Sequence, residues 1–257
     1  LGAVSMGKKI IVQVPLHPIF LLSFLFLAFA PLIWLLFTPS ALAYAFQPLG
    51  LNHSIGYVVA LVMVLLSLTL SFVNIAIVEI PHQILIPDVE YISFFGIYYP
   101  VPRLRLVTSK TLVAINVGGA IVPLTISLLM IFLMSTTTKA LQALFVETLV
   151  ILLVSLVSYS SSRIVPGLGI VAPAFIPPLT AALSTIILSS FMGLVELAPA
   201  IAYSGAVIGV LIGADVVNLI KHFDELRSPL ISIGGAGTFD GIYLSGIMAL
   251  FLTLLFA

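Results

Sequence analysis

Long apolar runs with few charges alternate with short polar segments along the whole chain. A helix needs about 20 apolar residues to cross the roughly 30 Å hydrocarbon core of a bilayer. Stretches of about that length predict seven transmembrane helices, at residues 17–38, 54–79, 111–134, 140–161, 170–190, 196–220 and 232–257. The pattern therefore predicts an all-α fold, a polytopic membrane helix bundle that forms one transmembrane domain over residues 1–257.

The basic residues orient this predicted bundle. With a cytoplasmic N-terminus, Lys139 alone lies outside, and the other eight lysines and arginines lie on the cytoplasmic side. These eight are Lys8, Lys9, Arg103, Arg105, Lys110, Arg163, Lys221 and Arg227. Such an excess of positive charge is typical of cytoplasmic loops. It predicts a multi-pass protein of the plasma membrane with its N-terminus in the cytoplasm and its C-terminus outside.

Composition supports the membrane assignment and excludes other classes of protein. Of the residues, 61% are hydrophobic and 7% are charged, against roughly a quarter charged in soluble domains, so the expected partner is the lipid bilayer. The net charge is zero and no run of basic residues occurs, which argues against nucleic acid as a partner. The chain has no cysteine, which excludes disulfides and thiolate metal sites. We expect no cofactor and no metal.

The longest connection, residues 81–110, has a different composition from the predicted helices. It contains prolines and two β-rich runs, at 89–95 and 97–101. We expect a short cytoplasmic β-like hairpin between helices two and three with Gly96 at its turn, or a flap at the membrane interface. Its aromatic side chains suit the headgroup level, and stacking on a ligand is an alternative. They are Tyr91, Phe94, Phe95, Tyr98 and Tyr99.

Two six-residue stretches are similar to each other. Residues 115–120 (Ile-Asn-Val-Gly-Gly-Ala) open the third predicted helix, and residues 231–236 (Ile-Ser-Ile-Gly-Gly-Ala) open the seventh. Both follow a helix that runs inward. They predict a parallel internal repeat of residues 54–134 and 196–257, related by an axis along the membrane normal. Chance recurrence of small residues is the alternative, because glycine and alanine are common in membrane helices.

Two aspartates are the principal candidates for chemistry. An ionisable side chain in hydrocarbon costs at least ~2.5 kcal/mol, so an acid at depth needs a partner, water or a function. Asp215 lies near the cytoplasmic end of the sixth predicted helix, and Asp240 enters the seventh from the same side. We expect the two carboxylates at comparable depth, where they can meet. The alternative for Asp240 is a helix cap at the interface.

Polar residues and glycines around this pair complete the candidate site. Asn74 and Asn116 lie near the cytoplasmic ends of the second and third predicted helices. The stretch 230–237 is apolar and glycine-rich, which is typical of a segment that dips into the membrane and lines a cavity. The predicted substrate- or ion-binding residues are Asp215, Asp240, Asn116, Asn74, Asn218, Gly234, Gly235 and Gly237.

The sixth predicted helix has glycines at four-residue intervals, which predict a ridge for close helix packing. Asp215 lies on the opposite face of the helical wheel, with Ser204 and Asn218 expected near it. Prolines are expected to break or kink the third and fifth helices. The ridge consists of Gly205, Gly209 and Gly213, and the prolines are Pro123, Pro173, Pro177 and Pro178.

Several motifs resemble an archaeal and bacterial integral membrane family that is labelled domain of unknown function sixteen-fourteen. They occupy residues 116–123, 166–170, 173–178, 213–215 and 232–241. The similarity covers most of the chain from about Asn74 onward, and the stretch 232–241 is its most specific part. The resemblance implies no activity.

A second, partial resemblance is to the presenilin-like intramembrane aspartyl proteases. Asp215 and Asp240 are similar to the aspartate pair of that family in order, topology and depth. The chain departs from the family around both residues, since it has no Tyr-Asp, no Gly-x-Gly-Asp and no later Pro-Ala-Leu. The resemblance implies catalytic roles for Asp215 and Asp240.

Three functions stay open on the sequence alone. A transporter would bind a small solute, a cation or a proton at the aspartates and the glycine breaks. An intramembrane aspartyl protease would cleave a membrane-embedded peptide, with the two carboxylates sharing one proton. A non-catalytic scaffold or lipid-handling protein would use the glycine ridges to pack partner helices. The sequence therefore does not decide whether the protein is an enzyme.

Overall fold

The computed structural model describes residues 10–12, 29–165, 169–222 and 230–256. Apolar helices form a bundle, and a sheet adjoins one of its ends. Two strands of this sheet extend beyond the others as a long hairpin. The helices are α1 (Phe29–Phe46), α2 (His53–Leu70), α3 (Val122–Ser135), α4 (Ala140–Ser161), α5 (Ile176–Met192), α6 (Ala198–Val210), α7 (Asn218–Lys221) and α8 (Gly241–Phe256). The strands are β1 (Ile10–Val12), β2 (Val73–Phe94), β3 (Ile97–Asn116), β4 (Arg163–Val165), β5 (Gly169–Val171) and β6 (Leu230–Ile233).

Short irregular helices join these elements. A π-helical segment, Val117–Ile121, precedes α3, and a second one, Leu211–Val217, connects α6 to α7. Single 3-10 turns lie at Gln47–Leu49, Val195–Leu197 and Gly237–Phe239. The predicted sixth helix is therefore one continuous helical run in which the hydrogen-bond pattern changes near Asp215.

The protein is a membrane protein. Within the described residues, four helical segments are long and apolar enough to cross a bilayer, namely His53–Leu70, Val117–Ser135, Ala140–Ser161 and Val195–Lys221. Helices α5 and α8 are apolar but shorter. The prediction of an all-α fold with about seven spanning helices is therefore wrong. Part of the first predicted span, residues 17–38, lies outside the described residues.

A four-stranded sheet with the order β1-β2-β3-β6 is the second reason why the all-α prediction fails. The predicted helix 54–79 ends at Leu70, and the chain is already extended at Val73. The predicted helix 111–134 begins as strand β3 and becomes helical only at Val117. Both overruns are rich in valine and isoleucine, which favour strands because their branched side chains pack well on a pleated surface.

The hairpin between α2 and α3 is much longer than predicted. Strands β2 and β3 pair without interruption from Val78↔Val113 to Phe94↔Ile97, and one irregularity separates this stretch from Asn74↔Asn116. The turn lies at Phe95 and Gly96, which have φ angles of 51° and 80°. Positive φ at both central positions is typical of the type I′ turn, which joins two-residue hairpins. The predicted hairpin and the turn at Gly96 are thus confirmed.

The two faces of this hairpin differ in charge. Because partners in an antiparallel ladder share a face, the Asp88↔Arg103 and Glu90↔Val101 pairs place both acids on one side. There Arg103 Nη1 donates a hydrogen bond of 2.6 Å to Glu90. The middle of the other face is uncharged and exposes large apolar side chains. These are Leu85, Val89, Tyr91, Tyr98, Leu104 and Leu106.

Strand β6 extends the sheet beside β3. The two run parallel, with the register Leu112↔Leu230 to Ile115↔Ile233. Each strand leads into a glycine-rich stretch and then into a helix, α3 in one case and α8 in the other. The two similar six-residue stretches are therefore neighbours in space, while the internal repeat itself stays a prediction.

The glycine ridge packs α6 against α4. The positions facing Gly205 and Gly209 are Val150 and Val154, and Gly213 lies on the backbone of Ser155. This confirms the predicted packing ridge. The predicted proline positions mark where the two helices begin: Pro123, Pro177 and Pro178 lie in the first turns of α3 and α5, where the missing N–H has no intrahelical partner anyway, and Pro173 precedes α5.

We expect Gly213→Ala to destabilise the protein because the added methyl group would overlap the carbonyl oxygen of Ser155. Overpacking of this kind costs about 1–3 kcal/mol. Thermal unfolding in detergent measures the loss. The matched control is Gly241→Ala, whose Cβ would meet only the Val210 side chain, at 4.0 Å. Equal unfolding temperatures for the two variants would show that the ridge is not closely packed.

Candidate functional site

Two glycine-rich junctions meet where the sheet joins the helices. One is Gly118-Gly119 in the π-helical segment before α3, and the other runs from Gly234 to Gly237 before α8. A Cβ at Gly119 would overlap the carbonyl oxygen of Gly234, so the two backbones are in direct contact. Gly234 and Gly237 also have φ angles of 71° and 64°, a left-handed conformation that favours glycine.

A buried asparagine pair connects these junctions to the sheet. Asn116 Nδ2 donates to the Ser71 carbonyl oxygen at 2.7 Å and to Asn74 Oδ1 at 3.1 Å. Asn116 Oδ1 accepts the Gly119 N–H at 2.8 Å, which caps the π-helical segment. The Ser232 hydroxyl also donates to Asn74 Oδ1. The pair thereby ties β2, β3 and β6 to the start of α3.

Serine side chains at the end of α2 complete this network. The Ser67 hydroxyl donates to the Gly118 carbonyl oxygen at 2.7 Å, and the Ser71 hydroxyl donates to the Ser67 carbonyl oxygen at 2.6 Å. The Ser71 hydroxyl also accepts the Thr238 N–H at 3.1 Å. The end of α2 therefore contacts both glycine-rich junctions.

Asp240 is the N-cap of α8. Its backbone is extended, with φ −71° and ψ 151°, and its carbonyl oxygen accepts the Leu244 N–H. One carboxylate oxygen accepts the Ile242 N–H at 3.0 Å, and the other accepts the Ala236 N–H at 3.3 Å. This is the capping alternative that the sequence left open, and it holds the side chain in one place.

Asp215 lies in the π-helical segment Leu211–Val217 and is partly exposed, as is Asp240. Its carboxylate is close enough to that of Asp240 for the two to interact electrostatically. In the described part of the chain its side chain has no hydrogen bond and no ion pair, in contrast to the capped Asp240. The site therefore combines an anchored carboxylate with a free one.

Comparison with known proteins identifies a family. The chain matches the family described as "Protein of unknown function (DUF1614)" over residues 68–252, well over half of its length. The chain belongs to this family. The match includes every predicted site residue, and it confirms the family resemblance that the motifs indicated. No curated protein and no solved structure matches the chain.

In this DUF1614 member, most of the predicted site residues lie together. Asn74, Asn116 and the glycines at 234, 235 and 237 belong to the network around the junctions. Asn218 does not join them, because its side chain donates to the Gly213 and Ala214 carbonyl oxygens of its own helical run. Ser204 is likewise not beside Asp215 but bonds to Glu147 on α4.

Sequence reasoning missed Ser67, Ser71 and Ser232 as parts of the site. For Ser232 a signal existed, because it occupies the position of Asn116 when the two six-residue stretches are aligned. Ser67 and Ser71 offered none, since serines are common in membrane helices and commonly bond to their own helix. Their contacts arise from the way α2 meets the junctions of this DUF1614 protein.

The side chains that could act as ligands limit what the site of this DUF1614 protein can bind. No group of three or more His, Cys, Asp or Glu side chains able to hold a metal ion occurs among the described residues. Two carboxylates, of which Asp240 is bonded only to backbone N–H groups, lack the nitrogen and sulfur ligands that transition metals favour. The arrangement suits a proton or a monovalent cation.

We expect Asn116→Leu to destabilise the protein by about 3 kcal/mol, because three hydrogen bonds are lost and their buried partners stay unsatisfied. Chemical unfolding in detergent measures the change. Asn218→Leu is the control, since that buried side chain joins no second element, and its effect should be less than half as large. The reverse order of the two effects would contradict the structural role given to Asn116.

Proposed function

We propose that this protein is a membrane transporter for a small solute or cation, and that a proton or monovalent cation binds between Asp215 and Asp240. The observation that supports this is the free carboxylate of Asp215, which lies within electrostatic reach of the anchored carboxylate of Asp240. A bound cation or proton would offset the repulsion between them.

The charges around the pair support this proposal. The ion pairs of the described residues join Arg103 to Asp88 and Glu90, and Lys110 to Glu79, and all of them lie in the hairpin. At the same end of the bundle, Lys221 lies over the ring of Tyr159 instead. An intramembrane carboxylate without a protein partner is a functional site by default, because leaving it unpaired is costly.

The backbone around the pair supports it as well. The π-helical segment at Asp215 interrupts a regular α-helix, and the glycine-rich junction before Asp240 connects strand β6 to the start of α8. In transporters, ion sites commonly lie where helices are discontinuous, because backbone groups there are free to bind. Single-turn π-helical insertions also occur frequently at functional sites.

The positions of the pockets and of the Asp pair indicate that transport would need more than one conformation of the protein. The two described pockets lie at the far end of α8 from Asp240, and both are lined by Pro48, Val195 and Glu196. The Asp pair is partly exposed at its own end of the bundle. Transport therefore requires a second conformation in which the pair is reached from the pocket side.

We further propose the plasma membrane as the location, with the N-terminus and the Asp pair on the cytoplasmic side. The strands and helix ends on the pair's side of the bundle carry Arg103, Arg105, Lys110, Arg163 and Lys221, whereas Lys139 precedes α4 at the other end. This distribution follows the positive-inside pattern. The parallel repeat of residues 54–134 and 196–257 would place its two glycine junctions around the pair.

The test is proton uptake into proteoliposomes, driven by a potassium diffusion potential and followed with an internal pH dye. We expect Asp215→Asn to reduce the uptake rate about 10- to 100-fold, since a charged contact contributes about 1.5–3 kcal/mol. The control is Glu90→Gln, which changes an exposed acid of the hairpin that lines neither pocket. A parallel experiment measures sodium uptake with an internal sodium-sensitive dye in place of the pH dye. Equal ion fluxes in the wild type, the control and Asp215→Asn would contradict the proposal.

Intramembrane hydrolysis is the second candidate, because the two carboxylates interact and lie on consecutive helical runs. An aspartyl protease needs both carboxylates to act on one water molecule. Both oxygens of Asp240 already accept backbone N–H groups, which suits a fixed anion better than a proton donor. Cleavage of a reconstituted transmembrane peptide that disappears in Asp215→Asn, without any ion flux in the wild type, would favour this function over transport.

A further inference from the structure

A second buried acid lies in the bundle, away from the Asp pair. Glu147 on α4 is 2% exposed. One of its carboxylate oxygens accepts a hydrogen bond of 2.9 Å from the Ser204 hydroxyl on α6. The other oxygen is buried without a hydrogen-bond partner among the described residues. A half-satisfied carboxyl group in the interior of a membrane bundle needs an explanation.

The position of Glu147 separates it from the Asp pair. It lies seven residues after the start of α4, about 10 Å along the helix axis. Ser204 lies six residues after the start of α6, and Asp215 follows 11 residues later, about 16 Å further along the same helical run. Direct contact between Glu147 and Asp215 is therefore excluded.

The surroundings of Glu147 offer no compensating positive charge. Helices α3 and α5, which pack against α4, contain no titratable side chain. Helix α6 contributes Tyr203, whose buried hydroxyl has no partner among the described residues, and Asp215 belongs to its continuation. No described lysine or arginine faces the carboxyl group, so an ionised Glu147 would have only hydroxyl groups to stabilise it.

Ser204 can serve both protonation states of Glu147. Its hydroxyl lies 2.9 Å from the carboxylate oxygen and 2.8 Å from the Ala200 carbonyl oxygen. A hydroxyl has one proton and two lone pairs. With an ionised Glu147, the hydroxyl donates to the carboxylate. With a protonated Glu147, the carboxylic acid donates to Ser204, which then donates to Ala200. Both arrangements keep the same heavy-atom positions.

Hydroxyl groups on the neighbouring helix α5 also lack partners among the described residues. Thr185 and Ser189 on α5 have buried hydroxyl oxygens without a hydrogen bond in the described part of the chain. Helix α5 packs against both α4 and α6, the two helices that carry Glu147 and Ser204. The interior around Glu147 is therefore lined by helices that carry further unsatisfied hydroxyl groups, which distinguishes it from the apolar core.

We propose that Glu147 and Ser204 form a proton-binding site in the membrane interior, in which the Glu147 carboxyl group takes up and releases a proton while Ser204 changes its hydrogen-bond direction. The site is independent of the Asp pair, and it does not depend on the proposed transport function. It assigns Glu147 a role in moving a proton, and it makes Ser204 a positioning residue.

The first test labels the unmodified protein in native membranes with dicyclohexylcarbodiimide, an apolar reagent for protonated carboxyl groups. The carboxyl O–H adds across one C=N bond of the reagent, so the acid proton moves to nitrogen and no group leaves. Peptide mapping by mass spectrometry then locates the adduct. We expect labelling at Glu147 that declines as the pH is raised, and none at the exposed Glu196. Glu147 without label at every pH would overturn the proposal.

The second test is infrared spectroscopy of the protein in lipid, which does not depend on access by a reagent. The difference between the wild type and Glu147→Gln should show the carbonyl band of a protonated carboxylic acid. Ser204→Ala should shift that band to higher frequency, because the hydrogen bond to Ser204 is lost, and Glu147→Asp should retain an acid band. A carboxylate band alone in the difference spectrum at every pH would overturn the proposal. An acid band with the same frequency in Ser204→Ala as in the wild type would also overturn the proposal.

Discussion

The backbones of two glycine-rich junctions lie so close together that no side chain fits between them, and the positions of the other elements follow from this contact. Parallel pairing of β3 with β6 brings the junctions side by side, and each one ends where a helix of the bundle begins. The start of α8 is thereby fixed, and with it the position of Asp240. Helix α8 in turn packs Gly246 against Tyr203 and Val207 of α6, which continues to Asp215.

Polar side chains in the bundle divide into two groups by how fully they are hydrogen-bonded. Asn74, Asn116 and Ser232 bond to one another and to the backbone, so their role is to hold the sheet and the junctions together. Asp215 and Glu147 differ, since each keeps at least one carboxylate oxygen free of hydrogen bonds among the described residues. Because a membrane penalises unpaired charge, these two acids are the ones to which we assign binding of a proton or ion in our proposals.

Features that depend on the position or spacing of residues along the chain could be predicted from the sequence. The approach of Asp215 and Asp240 followed from their positions at the same end of consecutive predicted helices, and the turn at Gly96 followed from its place between two β-rich runs. The Gly205 to Gly213 ridge followed from its four-residue spacing. Each of these features follows from the order or the spacing of residues along the chain, which is the same whatever tertiary contacts form.

Other features were not accessible from the sequence. An apolar run rich in valine and isoleucine fits a membrane helix and a buried strand equally well by hydropathy, which is why the ends of two predicted helices are strands. The Glu147 to Ser204 bond was missed because it depends on which face of α4 meets α6. Asn218 was misplaced because an amide side chain in a helix can bond to its own carbonyl groups.

In the function that we propose, Asp215 and Asp240 act as one binding site for a proton or a monovalent cation. The most direct measurement is solid-state NMR of the two carboxyl carbons in lipid bilayers, while pH and sodium or potassium concentration are varied. We expect both signals to respond together, and we expect Asp215→Asn to change the response of Asp240. An Asp215 signal that responds to neither protons nor monovalent cations, or that changes independently of Asp240, would contradict it.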